Sequence, residues 1–107
     1  MDWKQQVKTK INVLEMATRR TLDDIKTTRK NSPNFKSLCD ENIAKLTLFN
    51  CIKNDNSWKD YESFLQCLDE LKENPKIING NVFDKDNYAR YWKSYVMMLK
   101  LSDFETF

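Results

Sequence analysis

The 107-residue chain carries 18 basic and 16 acidic side chains, three cysteines, one glycine, two prolines and no histidine. That length specifies one domain, long enough to bury about two-thirds of its unfolded surface without disulfide or metal staples. The composition excludes a glycine-rich phosphate loop, a histidine-based triad and a histidine-liganded zinc site, and 40% hydrophobic residues is too many for a disordered segment.

Asp2 is placed to cap a first helix whose stripe runs Trp3, Val7, Ile11, Leu14, Thr18, Thr21 or Leu22, and Ile25. Spacings of three and four make this stripe narrow, close to the coiled-coil period. The helix can reach Lys30 before Asn31-Ser32-Pro33-Asn34, since proline disfavours helical geometry in the residue before it. At 1.5 Å per residue it would be about 40 Å long. The threonines between Thr18 and Thr28 are where it is expected to break or fray.

A second helix lies within Phe35 to Lys53, with Phe35, Leu38, Cys39, Ile43, Leu46, Phe49 and Ile52 inward. Ser37 with Asp40, or Asp40 itself, is its expected cap. Asn54-Asp55-Asn56 reads as a loop. Ser57 followed by Asp60 resembles a capping box for a third helix, with Trp58, Tyr61, Phe64, Leu65, Leu68 and Leu71 on one face and Asn74-Pro75 as its end. Asp69, Glu70 and Glu73 stand at the negative end of its dipole, a cost that Lys72 and Lys76 are positioned to offset.

Residues 76–85 form a linker with a turn signal at Asn79-Gly80. Its Ile77, Ile78, Val82 and Phe83 are expected to pack down as a satellite of the core rather than pair as a marginal hairpin. Asp84 and Asp86 read as cap residues of a fourth helix from about Asp86 to Lys100. Its apolar residues cover about half of its circumference, more than a surface helix needs. It therefore lies between two neighbours or leaves part of the arc for a partner. Ser102 and Glu105 match a capping box at the very end, so Phe104 and Phe107 look like the first turn of an unfinished helix. The chain is thus expected to be the N-terminal part of a longer protein, or else its two phenylalanines dock back as a tail.

The expected fold is an all-α bundle of about four helices in a single domain, with a long first helix and an aromatic-rich fourth near the centre. Neither a signal peptide core nor a membrane span is present. Cys39, Cys51 and Cys67 lack C-x-x-C spacing and read as buried thiols, which suits an intracellular protein. No cofactor, metal or small-molecule substrate is expected. Without histidine, acid–base chemistry would fall to strongly shifted carboxylates, lysines or tyrosines, and adjacent acidic pairs such as Asp23-Asp24 and Asp40-Glu41 diverge by about 100° on a helix. The chain does not read as an enzyme.

Ten of thirteen aromatics fall between Trp58 and Phe107. Tyr88, Tyr91, Trp92 and Tyr95 are concentrated in one helix, and these residue types favour a border between dry core and water. They are the first candidates for binding another protein's helix or peptide, either in an adaptor or scaffold domain or by self-association. Residues 1–36 hold nine basic and four acidic side chains. Lys4, Lys8, Arg19, Arg20, Lys26, Arg29 and Lys30 form the basis of an alternative, an accessory nucleic-acid-binding domain. A third reading is a small stand-alone inhibitor or immunity-type protein.

Overall fold

The computed structural model describes residues 2–78 and 81–102 and contains four helices: α1 (Trp3–Thr28), α2 (Phe35–Asn54), α3 (Tyr61–Lys72) and α4 (Lys85–Leu101). The architecture is an all-α bundle, without a strand among the described residues. Expectations for the Asn79-Gly80 turn and for Phe104 and Phe107 lie outside the described residues.

Asp2 caps α1 by accepting from the Gln5 amide at 2.9 Å. The threonine stretch does not break this helix. Thr18, Thr21, Thr27 and Thr28 each donate their hydroxyl to the carbonyl four residues back, so the competing polar group is used inside the helix. The result is 26 residues of continuous helix, which sets the 44 Å long axis of a molecule only 26 Å by 21 Å across.

α2, not α4, is the helix buried most completely. Besides the expected Cys39, Ile43, Leu46, Phe49 and Ile52, it buries Asp40, Asn42, Ala44, Thr47 and Leu48. The reason is its position: α2 packs on α1 along one side and on α4 along the other, and α3 packs on the far side of α4. The spatial order is therefore α1, α2, α4, α3. Lys53 meets Asn12 and Glu15, so α1 and α2 run antiparallel, whereas Ser37 meets Tyr91 and Phe49 meets Tyr95, so α2 and α4 run parallel. The wide apolar arc of α4 is explained by its two neighbours. Trp3 closes the open side by touching the rings of Trp58, Tyr61 and Phe64.

Three local expectations are corrected. Neither Ser37 nor Asp40 caps α2, whose N-cap is Asn34 without a side-chain bond. α3 begins later than the Ser57 pattern implies. Its capping box is Asp60 with Ser63, and Ser57 instead donates its amide and hydroxyl to Asp55. In the linker only Val82 packs against the core, while Ile77, Ile78 and Phe83 stay exposed. The acidic end of α3 is offset by a residue from another helix: Lys100 of α4 donates to Asp69 at 2.5 Å.

Candidate functional site

The four aromatic candidates on α4 separate into two pairs. Tyr88 and Trp92 are withdrawn from solvent, at 1% and 0% exposure. Trp92 donates its indole N–H to the Leu71 carbonyl at 2.6 Å, and the Tyr88 hydroxyl donates to the Lys76 carbonyl. Burial pushes the Tyr88 phenol up from its ordinary value. Both tether the α3–α4 connection to the core and offer nothing to an incoming partner. Tyr91 and Tyr95 occupy the expected border. Tyr91 shares a 2.5 Å hydrogen bond with Ser37. Tyr95 sets its ring edge-on to Phe49 at 5.6 Å, under the Lys45 ammonium at 5.1 Å.

Next to this border lies an apolar strip, of which sequence reasoning put Met98, but not Met97 or Leu101, on the apolar arc of α4. Met97 is 49% exposed, Met98 59% and Leu101 86%. Met98 shares a shallow depression with Glu41, Lys45, Tyr91, Ser94 and Tyr95 on the α2 side. Met97 and Leu101 share another with Lys72 and Lys100 on the α3 side. The signal was available in the spacing. Tyr91, Tyr95 and Met98 follow a four-then-three step that falls beside, not on, the buried line of Tyr88, Trp92, Val96 and Leu99.

Of the basic residues on α1, Lys4, Lys8, Arg19 and Lys26 share one side of the helix, whereas Arg20 lies on another. Lys4 and Lys8 fold over the Trp58 ring, with ammonium groups 5.2 Å and 5.7 Å from its centroid, and Lys8 also donates to Asn56. Arg19 lies 3.7 Å from Glu15, which Lys53 reaches at 3.3 Å across the α1–α2 seam. Glu15 is thus a buried residue of the seam between α1 and α2. Arg20 projects about 100° away from Arg19. Lys26, Arg29 and Lys30 are exposed near the end of α1.

All three thiols are held above their ordinary pKa. Burial raises the pKa of Cys39 and of Cys51. Cys67 is pushed up to about 12, by burial and by the hydrogen bond it donates to Asp55 at 2.8 Å. The pair borders a pocket of about 420 Å³ with Glu70, Leu71, Asn74 and Lys76. At pH 8 Cys67 holds about a thousandfold less thiolate than an ordinary thiol of pKa 9.0, and, since a more basic thiolate is the better nucleophile, it is expected to be alkylated at least tenfold more slowly. Asp55→Asn should recover only part of that rate, because burial is the larger cause. Iodoacetamide labelling followed by mass spectrometry measures both. Asp55 itself is partly desolvated, but bonds from Cys67 and Ser57 hold it below 3.8. Its contribution to stability is present above that value and is lost as pH falls through its lower folded pKa.

Among the described residues no group of three His, Cys, Asp or Glu is placed to hold a metal ion. None of the described helices is long and apolar enough to cross a membrane. Compared with protein-family models, with curated proteins and with solved structures, the chain finds no match.

Proposed function

We propose that the chain is a non-catalytic protein-interaction domain, of the adaptor or scaffold kind, that docks another protein's helix on the outer face of α4. The observation that carries this reading is the strip of Met97, Met98 and Leu101 beside Tyr91 and Tyr95. Three large apolar side chains each at least 49% exposed on one helix end mark a contact surface more often than a solvated face. Methionine adapts to irregular partner surfaces, and tyrosine supplies a rim that is apolar in body and polar at its tip. Met98 and Leu101 are the anchors of this reading, with Tyr91 and Tyr95 closing water out along one edge.

The test uses Met98→Glu/Leu101→Glu, which places two charges where the strip would be desolvated. Affinity capture from the cells that make the protein, run with and without nuclease, should retain a protein with the wild-type chain in both arms. The variant should lose it by about thirtyfold or more, the scale of a central hot spot. Capture that vanishes with nuclease, or survives in the variant, rejects the reading. Light scattering over a range of concentrations identifies the case in which the docked helix belongs to a second copy of this chain.

A further inference from the structure

α1 is an edge helix. Apart from Trp3 at its start, it packs on α2 alone among the described helices. Its far side is not the uniformly polar face expected of such an edge. Val13 is 60% exposed and Met16 51%, and Ala17 beside them is exposed as well. At 100° per residue, Lys10, Val13, Met16, Ala17, Arg20 and Asp24 lie within an arc of about 120°, opposite the buried line of Val7, Ile11, Leu22 and Ile25. One turn of the outer face is therefore apolar, with a small residue in it and charges before and after it.

Charge selects what can cover this turn. Lys10 and Asp24 each stand seven residues from Ala17, one before it and one after it. Consider a second α1 laid antiparallel, with a two-fold axis at Ala17. Each Lys10 then faces Asp24 of the partner subunit, once at either end of the seam, with no shift in register. Ala17 lets the two backbones approach at the axis, and Val13 and Met16 flank it from both chains. A parallel pair would instead set Lys10, Arg20 and Asp24 each against its own copy, like charge on like. Lys10 and Arg20 are balanced by Asp24 and by Asp23 at the edge of the arc, so the face is close to neutral. Neither a phosphate backbone nor a strongly charged peptide gains from it.

We propose that α1 pairs through this outer face with α1 of a second copy, antiparallel about Ala17, in a weak symmetric dimer. The paired stretch from Lys10 to Asp24 is about 21 Å long, and a helix is about 10 Å wide. That is well short of the roughly 800 Å² that each partner contributes to a stable interface. Association therefore belongs to the high micromolar range. The pairing does not depend on the α4 strip, which lies beyond α2 and stays open in both copies. A dimer offers that strip twice, which strengthens its hold on any multivalent partner.

By sedimentation equilibrium, the mean mass should rise from that of one chain at about 10 µM to at least about one and a half times that at 1 mM. Val13→Glu/Met16→Glu should stay monomeric at the higher concentration. Its melting temperature at the lower one should be unchanged, because both side chains are exposed. Lys10→Asp and Asp24→Lys should each weaken pairing about tenfold, and the two combined should restore it, which a change in net charge alone would not do. Cysteine cross-linking reads the axis. With oxidised glutathione, Ala17→Cys should give a disulfide-linked dimer above the wild-type background. Thr27→Cys, about 30 Å from its mate across the same axis, should not. Met98→Glu/Leu101→Glu should dimerise as the wild type does, which separates this seam from self-association through α4. The proposal is overturned if the wild type is monomeric at 1 mM, if Val13→Glu/Met16→Glu still dimerises, if the charge exchange fails to restore pairing, or if Thr27→Cys cross-links as fully as Ala17→Cys.

Discussion

Trp92→Ala is expected to lower stability by about 3–5 kcal/mol, the range for removing a fully buried large aromatic. A domain of this size has only about 5–15 kcal/mol in total. Trp92 is 0% exposed, approaches the Tyr88 ring at 6.3 Å, and holds the last turn of α3 through the Leu71 carbonyl. Its loss empties the contact between α3 and α4 and leaves that carbonyl without its indole donor. Trp92→Phe keeps most of the volume and loses mainly the hydrogen bond, so it should cost about 1–2 kcal/mol. Urea unfolding followed by circular dichroism distinguishes the two, with alanine giving the far lower midpoint. Equal midpoints for the wild type and Trp92→Ala would mean that Trp92 does not hold α3 to α4. The consequence for function is direct. A binding defect in Trp92→Ala reports a damaged fold, and the surface of α4 has to be probed at Met98 and Leu101 instead.

Patterns confined to one helix were legible in the sequence, and those created between helices were not. Asp2 and Asp84 were readable as caps because a cap bonds amides two or three residues away. The stripe of Val7, Ile11, Leu22 and Ile25 was readable because one neighbour covers one face. α2 was read only in part, since a helix flanked on two sides loses its polar face, and Asn42 and Thr47 then occupy positions that periodicity assigns to water. Asn42 tolerates this by donating to the Leu38 carbonyl at 2.8 Å. Ser57 shows the opposite failure. Two overlapping cap patterns were present, and the helix began at the later one because Trp58, 1% exposed, is used by the core before the helix starts.

The candidate site followed the same division. Tyr91 and Tyr95 could be placed at a border from their chemistry, but nothing in a run of tyrosines and tryptophan says which two will be swallowed. That depended on α3 lying behind α4. Glu15 occupies the apolar stripe between Ile11 and Thr18, and its spacing was the signal that it would be buried. What the spacing could not supply was Lys53, 38 residues away, which makes that burial tolerable. The exposure of Phe83 had no sequence signature, because it depends on how the linker before α4 lies against Phe35 of α2.

Asp40 is where that linker is attached, and its replacement should have the other large effect. Its carboxylate is 1% exposed inside α2 and accepts from the Phe83 amide at 2.8 Å and the Asp84 amide at 2.9 Å, one on each oxygen. Asp40→Asn keeps the shape but turns one acceptor into a donor facing an amide N–H, and should cost about 2–3 kcal/mol; Asp40→Ala leaves both amides unmet and should cost about 3–5 kcal/mol. At about 4–8 °C per kcal/mol, even the asparagine variant should melt roughly 10–20 °C lower. Hydrogen exchange locates the damage: the Phe83 and Asp84 amides should lose protection first, while amides in the middle of α1 keep theirs relative to global unfolding. Melting within 2–3 °C of the wild type, or unchanged protection at those two amides, would show that the carboxylate does not secure the linker.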